Sequence, residues 1–130
     1  MPLAYMASPY SKLNHQRAFE EAAELCGRLL ACGVHAYSPI AMCHPLAVYA
    51  KLDPMDLALW APHCRIMMER CDCLIVAQLD GWQESAGIKG EIEFFQEADK
   101  PIFDLFPASL TMQKRGSGFH LLASQMELAI

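Results

Sequence analysis

Glu91 is a carboxylate that its own helix does not explain. Ile88, Ile92 and Phe95 carry the i, i+4, i+7 spacing of a core-facing stripe, and Glu91 lies on the edge of that stripe. Its neighbours at three and four positions are Gly87, Ile88, Phe94 and Phe95, none of them basic, whereas Lys89 has Glu93 as an outer-face partner. A carboxylate on an apolar edge either bends out into water or is kept for chemistry, since charges are rarely buried unless paired or used. Gly87, one turn earlier, leaves room for a molecule to approach.

The residues before Glu91 add groups that suit a small polar ligand. The stretch Asp80 to Glu91, DGWQESAGIKGE, links the apolar run Leu74 to Leu79 to the helix of Glu91. A helix starting at Ser85-Ala86-Gly87 offers free N–H groups to a phosphate or carboxylate, with Ser85 also readable as a plain N-cap. Asp80-Gly81 has the form of a turn. Trp82 serves equally as apolar cover or as a platform for a base. Two earlier loops bring Ser8, Pro9 and Tyr10, then Ser38 and His44. Tyr5, inside the first apolar run, is by default a core residue.

The elements that must position these groups alternate. Leu3–Ala7 reads as a strand. A helical stripe follows at Phe19, Ala22, Ala23, Cys26, Leu29 and Leu30, with Ser11 or Asn14 as cap and Gly33 as stop. Val34–Tyr37 and Cys73–Leu79 are further strands, and Asp56–Arg70 is a helix that Pro62 should kink or restart. Ser85–Ala98 is the next helix and Ile102–Leu105 a fourth strand. Between them, 40–55 reads as a long irregular connection over a pocket, with at most a short helix around 46–51. This order predicts a three-layer α/β sandwich, flavodoxin-like or Rossmann-like. Its sheet would be parallel, with four to five strands in the order 2-1-3-4. Ligands of such sheets bind at the carboxyl ends of the strands. After Pro107 the signal fades: 114–118 reads as a flexible turn and 119–130 as a terminal helix or a docking tail.

Bulk composition narrows the partners. The 130 residues suffice for one domain, with 54% hydrophobic content that points to a homo-oligomer, a dimer or tetramer. The net charge of −5 argues against nucleic acid as the main partner. No apolar run approaches a membrane span, and the N-terminus lacks the form of a signal peptide. The six cysteines read as reduced thiols in a cytoplasm. Cys43-His44 and His63-Cys64 lack the usual zinc spacings, so no metal and no cofactor is expected.

Three anchors together resemble the nucleoside 2-deoxyribosyltransferase-like superfamily. They are Tyr5 to Tyr10 (YMASPY), Cys71-Asp72 entering an apolar strand, and Asp80 to Glu91 followed by Lys100-Pro101-Ile102. Ser38-Pro39-Ile40 and His44-Pro45 look like a small bacterial and phage branch of unknown function. The resemblance covers roughly residues 3 to 106, leaving 107–130 as a tail. It implies that Glu91 attacks the anomeric carbon of a nucleoside or nucleotide, that Tyr5 orients it, and that Ser85 tilts the substrate toward a 5′-monophosphate. Two positions depart from the pattern: Ser8 stands where glycine is frequent, and Cys64 where an aspartate is. Asp80 or His44 would then supply acid/base help. The expected function is N-glycosidic bond cleavage, by hydrolysis or transfer. A non-catalytic nucleotide-binding module on the same fold is the alternative, and an interaction protein a third reading.

Overall fold

The computed structural model describes residues 1–10, 12 and 14–130. The elements are β1 (Ala4–Ala7), α1 (His15–Ala31), β2 (Ala36–Tyr37), α2 (Pro39–Ala50), α3 (Leu57–Arg70), β3 (Cys73–Ala77), α4 (Ala86–Glu97), β4 (Ile102–Phe106), β5 (Thr111–Lys114) and β6 (Phe119–Leu122). Short 3₁₀ turns cover Trp82–Glu84 and Ala123–Ala129. One six-stranded sheet runs β2-β1-β3-β4-β5-β6. The first four strands pair in parallel, while β5 is antiparallel to β4 and β6 to β5. The chain is therefore an α/β protein with a mixed sheet, and the expectation of a wholly parallel sheet of four to five strands is corrected.

The correction comes from the C-terminal segment. Residues 107–130 are not a tail: Thr111–Lys114 and Phe119–Leu122 form a hairpin on the sheet edge. Gly116 and Gly118 turn it with φ of 84° and 66°, a region glycine enters without steric cost. Met112 and Leu121 point inward from paired positions, and Met126 closes the same end of the core. Arg115, in the hairpin turn, makes a two-pronged pair with Asp104 of β4 at 2.9 and 3.0 Å. The 119–130 segment is thus a strand and a 3₁₀ turn, not an amphipathic helix.

Alternation along the strands divides the core in two. Ala4, Met6, Cys73, Ile75, Phe103 and Leu105 face α1, whose Ala22, Leu25 and Leu29 pack onto them. Tyr5, Ala7, Leu74 and Val76 face the other way, onto Ile88 and Phe95 of α4 and onto Met67 and Met68 of α3. Asn14 caps α1 by accepting from the Arg17 N–H, and Gly33 follows its end with φ 89°. Ser11, the other expected cap, lies outside the described residues.

The 40–55 connection is more regular than expected. Ser38 caps α2, which runs twelve residues through Pro45. Likewise Pro62 lies inside α3 rather than starting a new helix. Each proline removes one i→i−4 bond, and packing of α2 on α1 outweighs that loss for Pro45.

Two of the residues in the sequence anchors are structural. Asp72 accepts the Leu3 N–H at 2.7 Å and so fixes the entry to β1. The Lys100 ammonium donates to the carbonyls of Met68, Glu69 and Cys71, clamping the C-terminal end of α3.

Candidate active site

In this sheet the chain leaves β1 for β2 on one side and later crosses to β3 on the other. The strand order therefore reverses beside β1, and a crevice opens beyond its carboxyl end. A cleft of about 340 Å³ occupies that place. The end of β1 supplies Tyr5 and Ser8, and α4 supplies Ser85, Gly87, Gly90 and Glu91. The far wall is α3, with Leu57, Trp60, Ala61, Cys64 and Met68, and the start of α2 adds Pro39 and Ile40.

Glu91 is part-buried in this cleft and no cation pairs with it among the described residues. Burial drives its carboxyl pKa from 4.5 to about 8; the nearby Tyr5 hydroxyl offsets part of that rise, and Cys64 adds to it. At neutral pH the group is therefore mostly protonated. Tyr5 is completely buried, and burial, followed by the closeness of Glu91 and Cys64, pushes its phenol far above the usual range. Its hydroxyl feels Glu91, yet no partner among the described residues meets it in hydrogen-bonding geometry. The Ser8 hydroxyl is orphaned in the same way, in a residue only 7% exposed. Buried polar groups nearly always find partners, so two orphans lining one cleft mark places that a ligand would satisfy.

Helix α4 presents the other polar edge. Ser85 is its N-cap, with Oγ accepting from the Ile88 N–H at 3.2 Å, which leaves the hydroxyl hydrogen free to donate. The N–H groups of Ala86 and Gly87 have no carbonyl within the helix. A Cβ at Gly87 would meet only Ser85 Oγ, at 3.7 Å, and one at Gly90 would meet nothing within 4 Å. Both glycines keep the α4 wall low.

Tyr10 stands at the rim, oriented by His44. The His44 Nδ1 accepts from the Tyr10 hydroxyl at 2.9 Å while its Nε2 donates to Gln16 at 3.2 Å. Burial and the neighbouring His15 hold the His44 pKa below normal, which fits a neutral ring. His44 thus lines a recess of about 110 Å³ next to the cleft and positions Tyr10.

Of the residues read from the sequence, the fold brings Tyr5, Ser8, Tyr10, Ser85, Gly87 and Glu91 into one cleft. It leaves others out of that lining. Asp80 and Gly81 are exposed on the turn after β3, Pro9 is buried, and Ser38 is occupied as the α2 cap. Trp82 packs against Tyr5, Val76 and the rest of that side of the core. The aromatic wall is Trp60 instead, whose indole N–H is pinned to the Asp53 carbonyl at 2.8 Å. Nothing in the order of residues singles out Trp60; its only signal is its place on the helix after the 40–55 connection, which reads as a pocket cover. Cys64 is marked by the resemblance alone, as the residue standing where an aspartate is usual.

The family described as a domain of unknown function (DUF1937) matches residues 3–106, and the chain belongs to that family. No curated protein matches the chain.

Proposed function

We propose that this DUF1937 protein cleaves the N-glycosidic bond of a nucleoside or nucleoside 5′-monophosphate, with Glu91 as nucleophile. The observation that carries the reading is Glu91 itself: a carboxyl that shares its cleft with two buried hydroxyls, with no ion-pair or hydrogen-bond partner for any of the three among the described residues. The resemblance to the nucleoside 2-deoxyribosyltransferase-like superfamily points the same way, as does the flavodoxin-like arrangement of the four parallel strands with helices on both faces.

In this mechanism Glu91 first gives up its proton to solvent. Its carboxylate oxygen then attacks the anomeric carbon, the C–N bond breaks and its electron pair leaves with the base. Only one carboxylate lines the cleft among the described residues, so the departing base takes a proton from water at the open mouth. Water, or a second base, resolves the glycosyl ester. Tyr5 and Ser8 bond the sugar hydroxyls, Tyr10 and Trp60 flank the base, and Ser85 with the Ala86 and Gly87 N–H groups takes the 5′-hydroxyl or 5′-phosphate. No Lys or Arg among the described residues lines the cleft, so a phosphate would rest on the helix terminus.

A second reading has its own support. The Glu91 pKa of about 8 leaves little carboxylate at neutral pH, which suits a non-catalytic nucleotide-binding module. Incubation with a panel of nucleosides and monophosphates, read by chromatography for free base, separates the two. Base release that Glu91→Gln removes supports the enzyme. Thermal stabilisation by a nucleotide without release supports the module, and no response to any of the panel rejects both.

The same reading takes the protein as a cytoplasmic homo-oligomer. Met42, Leu46, Val48, Tyr49, Leu57 and Ile66 are all at least 41% exposed on α2 and α3, and α3 has no fully buried residue. A monomeric mass by light scattering at micromolar concentration would rule the oligomer out. No helix among the described residues is long and apolar enough to cross a membrane.

A further inference from the structure

The proposed glycosidic chemistry leaves the cysteines unused, and they are not equivalent. Cys26 and Cys32 direct their S–H groups to backbone carbonyls at 3.4 and 3.3 Å. Cys71 and Cys73 are buried, 1% and 0% exposed. Cys43 on α2 and Cys64 on α3 differ: both are part-exposed, and both line the recess beside the cleft. There the two residues share the lining of one recess of about 110 Å³. The Tyr37 hydroxyl lies 4.0 Å from Cys43 Sγ and is fixed by a 3.1 Å hydrogen bond with His63 Nε2.

We propose that Cys43 and Cys64 form an oxidation site that takes a hydroperoxide and closes a reversible disulfide between α2 and α3 at the wall of the cleft.

The environments divide the labour between the two sulfurs. The neighbouring Cys64, helped by Tyr37 and opposed by burial, lowers the Cys43 pKa to about 7. The neighbouring Cys43, followed by burial, pushes the Cys64 thiol up, so Cys64 keeps its proton. Burial raises Cys71 to about 11 and Cys73 to about 12, which leaves them inert at neutral pH. With the Tyr37 hydroxyl 4.0 Å from its sulfur as a donor, Cys43 is the attacking thiolate and Cys64 the resolving thiol.

The steps balance with hydrogen peroxide as oxidant. The Cys43 thiolate attacks one peroxide oxygen and the O–O bond breaks. The leaving hydroxide takes up the proton that Cys43 had shed and departs as water. Cys64 then attacks the sulfenic sulfur. The S–O bond breaks, and the hydroxyl leaves with the Cys64 proton as a second water. Two thiols lose two electrons and one peroxide gives two waters. A bond of about 2 Å between the sulfurs draws Cys64 toward α2 and away from Tyr5 and Glu91. Oxidation thus changes the cleft wall whatever ligand the cleft takes.

The test uses the reduced native chain. It is treated with stoichiometric hydrogen peroxide, free thiols are then alkylated, and the digest is mapped by mass spectrometry without reductant. The expected product is a Cys43–Cys64 cross-linked peptide that dithiothreitol reverses. In Cys64→Ser the reaction should stop at a sulfenic acid on Cys43 that dimedone captures. In Cys43→Ser, Cys64 should remain alkylatable at the same dose. A bridge between another pair or between two chains, a wild-type Cys43 sulfenic acid that never cross-links, or Cys43 oxidising no faster than Cys26 would each overturn the proposal.

Discussion

Replacing Glu91 by Gln should make the protein more stable, and increasingly so as pH rises. Burial raises the Glu91 pKa from 4.5 to about 8, so the folded chain retains a proton that the unfolded chain releases. The resulting stability is complete below the unfolded value, falls through the window from about 4.5 to 8, and levels off above it. At about 1.4 kcal/mol per pKa unit, the interval from about pH 5 to about pH 9 carries about 4 kcal/mol. Water in the open cleft screens part of this, leaving roughly 2–4 kcal/mol. An amide of the same shape carries no such slope. Urea unfolding of wild type and Glu91→Gln at several pH values measures the difference directly, and all other titrating groups cancel in the subtraction. The variant should gain on the wild type by that amount across the interval. Parallel curves would mean that Glu91 titrates normally and that its burial has no electrostatic consequence.

Tyr5→Phe removes a buried hydroxyl that has no partner among the described residues, so stability should hold or rise by about 1 kcal/mol while ligand binding in the cleft weakens at least tenfold. Unfolding and calorimetry on one sample would show both; lost stability would mean that the hydroxyl has an internal partner. Gly87→Ala should gain about 0.5–1 kcal/mol from helix propensity, because the new methyl meets only Ser85 Oγ, and should weaken ligands by crowding the cleft. Unchanged affinity would place the ligand elsewhere. Lys100→Met removes a cation from three carbonyls at the end of α3 and should cost about 2–3 kcal/mol in urea unfolding. A loss under about 0.5 kcal/mol would show the clamp to be ornamental.

The parallel half of the sheet was legible because its strands are apolar runs punctuated by Pro and Gly, from Leu3–Ala7 to Ile102–Leu105. The antiparallel half was not. Thr111–Lys114 buries only Met112, and four residues are too few for alternation to outweigh the helical spacing of Leu121, Leu122 and Met126. Pro62 suggested a break and 40–55 an irregular connection, where the chain instead keeps continuous helices through Pro62 and Pro45. In the site, α4 was readable in detail because Ser85, Gly87 and Glu91 lie on one helix of known phase. Trp82 was misplaced because the 3₁₀ turn at Trp82–Glu84 rotates its ring onto the core. Trp60 comes from α3, whose meeting with α4 is set by the chain's crossover and has no local signature, whereas Cys64 on the same helix is marked only by its alignment with an aspartate of the resembled superfamily.

The central claim is that Glu91 bonds covalently to a sugar. The most direct measurement is to acid-quench the protein during turnover of whichever nucleoside or monophosphate releases base, then to map peptide masses. The account predicts a glycosyl adduct on the peptide containing Glu91, with yield rising as pH approaches about 8, and none in Glu91→Gln. An adduct on a different residue, or base release of equal rate in Glu91→Gln, would contradict it.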